Sequence, residues 1–386
     1  MKKKYILGLL CLMLAAGCGA KSGAASAENR SSAANAVSES YAADTENENR
    51  EANTNRESES RAAANTDTNE VPSASADIFA MDTYMTVTCY GEKCEEALAA
   101  AEAEIQRLDD LLSVGKEDSE ISRINREGSG VMSEDTKKMA EGAIQLYHTT
   151  NGAFDITVYP LMELWGFTTG NFAVPEEETL DGLLAKCGSD KLTIDNNTIT
   201  LAEGQGIDLG GIAKGYTSGR LMKIFEEYDL VSAVVSLGGN VQCYRTKPDG
   251  SLWRCGIQDP GDAENGSAYL GILSVADRAV ITSGAYERYF VDEKTRKTYH
   301  HILDPKTGYS AESGLLSVTV VSENGMLADG LSTSCYVMGL DQSIEYWRTY
   351  GEDFDLILMD DKGEVYVTEP IASQFTSEYS VHVISQ

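Results

Sequence analysis

Four short segments of the sequence contain residue types that could carry chemistry, and the first surrounds a pair of glycines. Residues 206–216 read Gly-Ile-Asp-Leu-Gly-Gly-Ile-Ala-Lys-Gly-Tyr. This pattern predicts an apolar strand that ends at Asp208, then a turn and a helix. Backbone N–H groups at a helix start bind anions, and glycine lets a phosphate approach closely. A lone Gly-Gly turn is more often structural, but Asp208 and Lys214 beside it favour an anion-binding site.

The second segment, residues 327–334, could bind a hard metal ion. Asp329 and Thr333 are four residues apart, so a helix would place the carboxylate and the hydroxyl next to each other on one face. Oxygen ligands of this kind suit Mg²⁺ or Ca²⁺. The alternative is that Asp329 only caps the start of a helix, and the segment taken alone favours the cap.

The third and fourth segments could supply a proton acceptor and a surface for a flat ring. His300 and His301 precede an Asp-Pro turn, and histidine suits proton transfer near neutral pH. A structural histidine that caps this turn is equally compatible with the pattern. Residues 151–167 form an aromatic-rich segment that could pack against a flat ring system, although core aromatic residues under a loop are the commoner case.

The elements that must position these segments mix helices and strands without a regular alternation. Residues 79–90 and the apolar run 232–237 are typical of strands, and residues 192–201 of a β-hairpin that turns at Asn196-Asn197. Helices are predicted over 95–112, 133–147 with Ser133 as N-cap, 213–228 and 327–338. We therefore expect an α+β fold of mixed β-sheets with packed helices, in one domain over 77–386 with no sharp internal boundary.

The N-terminus predicts export and a membrane anchor. Three lysines, an apolar run over residues 5–16 and Gly17-Cys18 follow each other, as in a secretory signal. Residues 14–18 (Leu-Ala-Ala-Gly-Cys) resemble a bacterial lipobox, which makes 1–18 a lipoprotein signal peptide and Cys18 the lipidated residue. Ala15 departs from the usual Leu, and an ordinary secretory signal is the alternative. Residues 19–76 contain almost no large apolar side chains and are expected to form a disordered tether.

Charge and cysteine content exclude some classes of protein. The 386 residues carry a formal net charge of −30, which argues against nucleic acid as a partner because phosphate backbones require clustered Lys and Arg. The chain has eight Cys and four His but no Cys-x-x-Cys, so a zinc site is not expected. Wide spacing favours buried thiols over disulfides in the folded part.

Taken together, these segments resemble the ApbE family of FAD:protein FMN transferases. The resemblance rests on residues 152–155, 208–216, 236–240, 282–284, 301–308 and 328–333, which occur in the order of the family. It implies the ApbE-like fold and a reaction in which a Thr or Ser hydroxyl of another protein attacks the FMN phosphorus of FAD. AMP would leave, and FMN would stay joined to the acceptor.

The resemblance also implies roles for single residues. Mg²⁺ would be held by Asp329, by Thr333 and by the backbone carbonyl of Gly211; some relatives have Asp at the position of Ser332. His301 would be the general base, with His300 as the weaker alternative. FAD would contact seven further residues: Met81, Ala153, Phe154, Asp155, Asp208, Lys214 and Leu303.

The expected partner is an acceptor flavoprotein subunit of a membrane or extracytoplasmic redox complex, and the expected location is the outer face of the cell membrane. The family implies an acceptor motif with an Asp that ends in Ser-Gly-Ala-Thr or similar. Two other functions stay open from the sequence. One is an FAD pyrophosphatase of the same fold, in which water replaces the acceptor hydroxyl. The other is a solute-binding lipoprotein, which shares the lipobox, tether and acidic surface.

Overall fold

The computed structural model describes residues 71–262 and 268–386. The predicted signal peptide, the lipidated Cys18 and nearly all of the predicted tether lie outside the described residues. Strand β1 begins at Ser73, so residues 73–76, which were assigned to the tether, belong to the fold. Among the described residues, no helix combines the length and the apolar character that crossing a membrane requires.

The described residues form four β-sheets, and the largest has nine strands in the order β1-β2-β6-β7-β10-β13-β14-β15-β17. Its neighbouring strands are antiparallel except for β15 and β17. The strands are β1 Ser73–Ala80, β2 Thr83–Tyr90, β3 Ser129–Val131, β4 Thr193–Asp195, β5 Thr198–Thr200, β6 Ser232–Leu237, β7 Asn240–Tyr244, β8 Trp253–Gln258, β9 Tyr269–Val275, β10 Ala279–Gly284, β11 Tyr289–Val291, β12 Thr298–His300, β13 Leu315–Ser322, β14 Phe354–Asp360, β15 Val365–Thr368, β16 Phe375–Thr376 and β17 Val381–Ile384.

Nine α-helices lie in the described residues, and a 3₁₀ turn at Ile156–Val158 precedes the fourth. The helices are α1 Cys94–Leu112, α2 Glu120–Glu127, α3 Glu134–Thr149, α4 Tyr159–Trp165, α5 Glu177–Leu184, α6 Gly210–Glu227, α7 Gly325–Met338, α8 Leu340–Tyr350 and α9 Glu369–Ala372. The α+β prediction is confirmed. The sequence did not single out α2, α4, α5, α8 and α9.

The large sheet is covered on both faces. Apolar residues of β2 and β6 pack against helices α1 and α6 on one face. On the other face, β7, β10 and β14 pack against the small sheet β16-β9-β8. Alternate side chains of a strand point to opposite faces, so two-sided cover explains why β6 and β7 are buried almost throughout. The six cysteines of the described residues are free and buried, as predicted.

Local signals predicted several turns and caps correctly. The hairpin of β4 and β5 turns at Asn196, whose backbone has a positive φ of 54°. The Ser133 side chain caps α3 by accepting from the Thr136 N–H at 3.3 Å. The single strand predicted over residues 79–90 is wrong, because Met81 and Asp82 adopt φ values of 49° and 57°. Two successive residues in this left-handed region form the tight turn of a hairpin, which joins β1 to β2.

Helices α6 and α7 cross at two glycines. A Cβ on Gly215 would lie 2.2 Å from the Gly325 carbonyl oxygen and 2.6 Å from the Asp329 Cβ. A Cβ on Gly325 would lie 2.6 Å from the Gly215 carbonyl oxygen. Only glycine allows two helix backbones to approach this closely. The crossing therefore depends on the residue types at these two positions.

We predict that Gly215→Ala lowers the free energy of unfolding by about 1–3 kcal/mol, because the added methyl group forces α6 and α7 apart. Gly219→Ala is the matched control, since a Cβ at Gly219 meets nothing within 4 Å; it should raise the stability by about 0.5–1 kcal/mol. Urea unfolding of both variants measures the difference. Equal effects of the two substitutions would contradict the close crossing.

Candidate functional site

A cleft with a volume of about 670 Å³ lies between the β1–β2 hairpin, the start of α6, helix α7, the small sheet and the β11–β12 region. Eleven residues that the sequence singled out line this one cleft: Met81, Ala153, Phe154, Asp155, Asp208, Gly211, Lys214, His301, Leu303, Asp329 and Thr333. A more open hollow of about 500 Å³ near the C-terminus contains none of them. The structure therefore brings together residues that are up to 252 positions apart in the chain.

The Gly-Gly turn enters helix α6 from an irregular segment, where the sequence predicted a strand. Asn125 holds this segment through both of its side-chain atoms: Nδ2 donates to the Ile207 carbonyl at 2.8 Å, and Oδ1 accepts from the Ile207 N–H at 2.7 Å. Asp208 Oδ1 accepts from the Gly210 N–H at 2.8 Å. Leu209, at the N-cap position, has no capping side chain, so the N-terminus of α6 is open at the cleft.

Gly211 and Phe154 are in close contact at this turn. A Cβ on Gly211 would lie 3.1 Å from the Phe154 ring, so the ring packs against the bare backbone. The neighbouring Asp155 is buried, and its Oδ1 accepts from the Thr157 N–H at 2.9 Å and from the hydroxyls of Thr157 and Ser189 at 2.7 Å each. These bonds fix the aromatic segment against the cleft.

Asp329 is a buried carboxylate in the middle of helix α7. The cap of this helix is Asn324, whose Oδ1 accepts from the Leu327 N–H at 3.3 Å, so the alternative that Asp329 is an N-cap is wrong. Asp329 Oδ2 accepts from the Gly215 N–H at 2.8 Å. Burial raises the pKa of Asp329, and the Lys214 ammonium opposes the rise.

Two neighbouring hydroxyl groups of α7 differ in position, with Thr333 at the cleft and Ser332 behind it. Thr333 lines the cleft, and its Oγ1 lies 3.4 Å from the Ser283 Oγ. Ser332 is fully buried, donates to the Asp329 carbonyl at 2.8 Å and lies 2.8 Å from the Ser283 Oγ. Ser332 is therefore already bonded within the protein, and Thr333 is the hydroxyl that remains for a ligand.

The two histidines have different positions. His301 lines the cleft, whereas His300 is buried behind it and its Nε2 lies 3.1 Å from the Ala311 carbonyl. The His301 Nδ1 lies 3.2 Å from the Arg288 carbonyl. Because a carbonyl can only accept, Nδ1 carries the proton, and the lone pair is on Nε2. Burial, assisted by the Arg288 charge, lowers the pKa of His301 from its usual value of 6.5 to about 3. The imidazole is therefore uncharged at neutral and at mildly acidic pH.

Sequence reasoning missed two charged residues of the cleft, Glu287 and Arg288, which follow β10 at the Tyr286 turn. Reduced contact with water inside the cleft raises the pKa of the Glu287 carboxyl to about 7. The Lys214 charge opposes this rise, and the Asp329 carboxylate adds to it. The signal in the sequence was a charged pair that begins three residues after Gly284, where the strand ends. Whether this charged pair reaches the cleft depends on the direction that the chain takes after Tyr286, which the local sequence does not predict.

The cleft contains more acidic than basic side chains. Six carboxyl groups of the described residues line it (Asp82, Asp109, Asp155, Asp208, Glu287 and Asp329), of which Asp109 pairs with Lys116 at 2.6 Å, against the two cations Lys214 and Arg288. An anionic ligand would meet net repulsion here unless it brought a cation with it. Among the described residues, no three His, Cys, Asp or Glu side chains cluster as metal ligands. The predicted ligands are the Asp329 carboxylate, the Thr333 hydroxyl and the Gly211 carbonyl. Such a set suits Mg²⁺, which fills its other coordination positions with water or with oxygen atoms of a substrate.

Comparisons with known proteins identify the family to which the chain belongs. The model of the ApbE family matches residues 81–358. The FAD:protein FMN transferase of Haemophilus influenzae is 32% identical over 293 residues, which cover 72% of this chain and 82% of that protein. A protein of the same name from Klebsiella pneumoniae is 30% identical over 290 residues, which cover 73% of this chain and 88% of that protein.

Solved structures show the same fold. The ApbE protein of Thermotoga maritima superposes with a TM-score of 0.72 at 32% identity, over 78% of this chain and 99% of that chain. The flavinyl transferase ApbE of Pseudomonas stutzeri, in its apo form, superposes with a TM-score of 0.71 at 28% identity, over 80% of this chain and 99% of that chain. The family model and both relatives cover most of the folded part, so this chain belongs to the ApbE family.

Proposed function

We propose that this chain is an FAD:protein FMN transferase, which moves FMN from FAD to a Thr or Ser hydroxyl of an acceptor protein and releases AMP. The observation that carries the proposal is the convergence of Asp329, Lys214 and His301 on one cleft beside the open start of helix α6. These groups have the properties that phosphoryl transfer requires, since that reaction depends on positioning and charge neutralisation. The relatives that carry this name match the chain across the same residues.

Mg²⁺ is the cofactor that we assign to the cleft, with the Asp329 carboxylate, the Thr333 hydroxyl and the Gly211 carbonyl as its protein ligands. When bound, it would neutralise charge on the bridging pyrophosphate and on the leaving AMP. The excess of carboxyl groups around the cleft supports this assignment, because the protein alone does not compensate a dianionic pyrophosphate. The hydrogen bond from Gly215 holds the Asp329 carboxylate in a single orientation.

The side chains of the cleft would hold FAD at its charged and its flat parts. Lys214 and the open N-terminus of α6 favour negative charge at the pyrophosphate. Phe154, Met81 and Leu303 supply apolar surface for a ring system. The turn at Met81 is fixed because its N–H donates to Asp109 Oδ1 at 3.0 Å. A rigid site of this kind limits the ordering entropy that binding costs.

His301 would accept the proton of the attacking hydroxyl at Nε2. The acceptor oxygen forms a bond to the FMN phosphorus, the bond from that phosphorus to the AMP oxygen breaks, and the proton moves to the imidazole. The low pKa of His301 in the protein without ligand keeps its Nε2 unprotonated. An anion bound beside the ring would raise that pKa towards neutrality, because it stabilises the imidazolium.

Incubation with FAD, Mg²⁺ and a peptide that contains an Asp and ends in Ser-Gly-Ala-Thr tests the function. We expect mass spectrometry to find the peptide heavier by one FMN phosphoester and to find AMP released in equal amount. Free FMN without labelled peptide would identify an FAD pyrophosphatase. Tight binding of a sugar or amino acid without FAD affinity would instead indicate a solute-binding lipoprotein.

We predict that Asp329→Asn lowers the rate of FMN transfer by about 10²–10³-fold, the range for loss of one electrostatic contact to the transition state. The amide keeps an oxygen for the Gly215 N–H but lacks the charge that binds Mg²⁺. Calorimetric titration with Mg²⁺ should show weaker binding in the variant. Glu323→Gln, outside the cleft and paired with Arg278 at 2.8 Å, is the control. Unchanged Mg²⁺ affinity in Asp329→Asn would remove this residue from the metal site.

We predict that His301→Ala lowers the transfer rate by about 10²–10⁴-fold, the usual contribution of a general base, and leaves FAD affinity nearly unchanged. His382→Ala is the matched control, because His382 pairs with Glu364 at 2.7 Å on the surface. Stopped-flow transfer assays and FAD fluorescence titrations measure the two quantities. A variant that transfers FMN at the wild-type rate would exclude His301 as the base.

The proposed location is the outer face of the cell membrane, with a lipid on Cys18, and the proposed acceptor is a subunit of a membrane or extracytoplasmic redox complex. The support comes from the lipobox-like residues 14–18 and the polar segment that follows them.

We predict that Cys18→Ala moves the protein from the membrane fraction to the soluble fraction. Retention of the variant in washed membranes would argue against a lipid anchor at Cys18.

A further inference from the structure

Arg288 is a cation of the cleft that forms no ion pair with any residue the structure describes. Within the described ranges, no carboxylate oxygen lies within 4.0 Å of its guanidinium, and the same holds for Lys214. The polar contact of the Arg288 side chain is a hydrogen bond from Nη1 to the Phe167 carbonyl at 3.3 Å. A guanidinium has five N–H donors, so most of its donors remain for a ligand.

Arg288 and Lys214 act on the same part of the cleft. The positive charges of both residues oppose the rise in the pKa of Asp208 and of Glu287, and both disfavour protonation of His301. These two cations reach the cleft from different elements, since Lys214 belongs to α6 and Arg288 lies between β10 and β11. Their fields therefore add at one place, which is where an anion would be stabilised most.

The backbone of Arg288 ties this place to the candidate base. Its carbonyl oxygen lies 3.0 Å from the His301 N–H and 3.2 Å from the His301 Nδ1. The neighbouring residues Tyr289 and His300 pair in the ladder between β11 and β12, so the two chain segments cannot shift against each other. The guanidinium charge itself lowers the pKa of His301, so an anion held by the guanidinium would act on the imidazole that is to accept the proton.

We propose that Arg288 binds a phosphate group of the dinucleotide and acts with Lys214 as a two-cation clamp on its pyrophosphate. The inference rests on the proposed function and adds a residue that contacts the reacting group. Arg suits this task because its planar fork binds two phosphate oxygens at once, whereas Lys acts as a point charge. In an acid-rich cleft, the clamp supplies the positive charge on the side of the pyrophosphate that faces His301.

The experiment compares ligands with and without phosphate in the full-length chain. We expect Arg288→Met to weaken the binding of AMP, of FMN or of both by at least about tenfold, the loss of one charge-assisted contact. Adenosine and riboflavin, which lack phosphate, should bind within about twofold of wild type. Displacement of FAD in the presence of Mg²⁺, followed by fluorescence, measures all four ligands. Loss of AMP or of FMN affinity identifies which phosphate the guanidinium contacts.

Two controls separate the outcomes. Arg278→Met removes an arginine that pairs with Glu323 outside the cleft and should leave all four affinities unchanged. Arg288→Lys should recover part of the phosphate affinity, because it restores the charge but not the fork. Equal weakening of adenosine and riboflavin would mean that Arg288 only supports the Phe167 segment, and no weakening at all would also overturn the clamp. Failure of the wild-type chain to bind FAD would instead refute the proposed function.

Discussion

The hydrogen bond from the Gly215 N–H to Asp329 Oδ2, at 2.8 Å, is the contact on which the site depends. It exists because Gly215 and Gly325 let helices α6 and α7 cross with their backbones in contact. The crossing buries a carboxylate next to the start of α6, where a helix favours negative charge. Any side chain at Gly215 would separate the carboxylate from the Gly210-Gly211 turn, and both halves of the site would be lost together.

The charge distribution of the cleft follows from this burial. A carboxylate with little access to water is costly unless a cation compensates it, and Lys214 compensates Asp329 only in part. Five further carboxyl groups line the same cleft. A divalent cation would reduce the negative charge that an anionic ligand meets in this cleft. The electrostatics thus support the proposed binding of Mg²⁺ together with the pyrophosphate.

Rigid backbone turns hold the reactive side chains at the edge of this cleft. Met81 and Asp82 both adopt left-handed conformations, which cost energy for residues other than glycine and are typical of functional sites. The bond to Asp109 holds that turn. On the opposite side, the β11–β12 ladder and the Arg288 carbonyl fix the His301 ring and its tautomer. Placement by backbone contacts leaves the side-chain ends available for ligands.

The sequence by itself determined the features that depend on near neighbours in the chain. Residue types and short spacings predicted the α+β class, the Ser133 cap, the turn at Asn196 and the segments that line the cleft. These features could be predicted because helix periods, caps and turns involve residues only a few positions apart. The resemblance of six ordered motifs then connected the segments to the ApbE family.

The tertiary structure decided which residues of those segments reach the cleft. It placed His301 at the cleft and His300 behind it, showed that Asp329 does not cap α7, and added Arg288 to the lining. It also replaced a predicted strand by a segment that Asn125 holds. Each outcome depends on a contact between residues far apart in sequence, such as Gly215 with Asp329 or Asn125 with Ile207. Local periodicity carries no information on such contacts, because they are set by how whole elements pack.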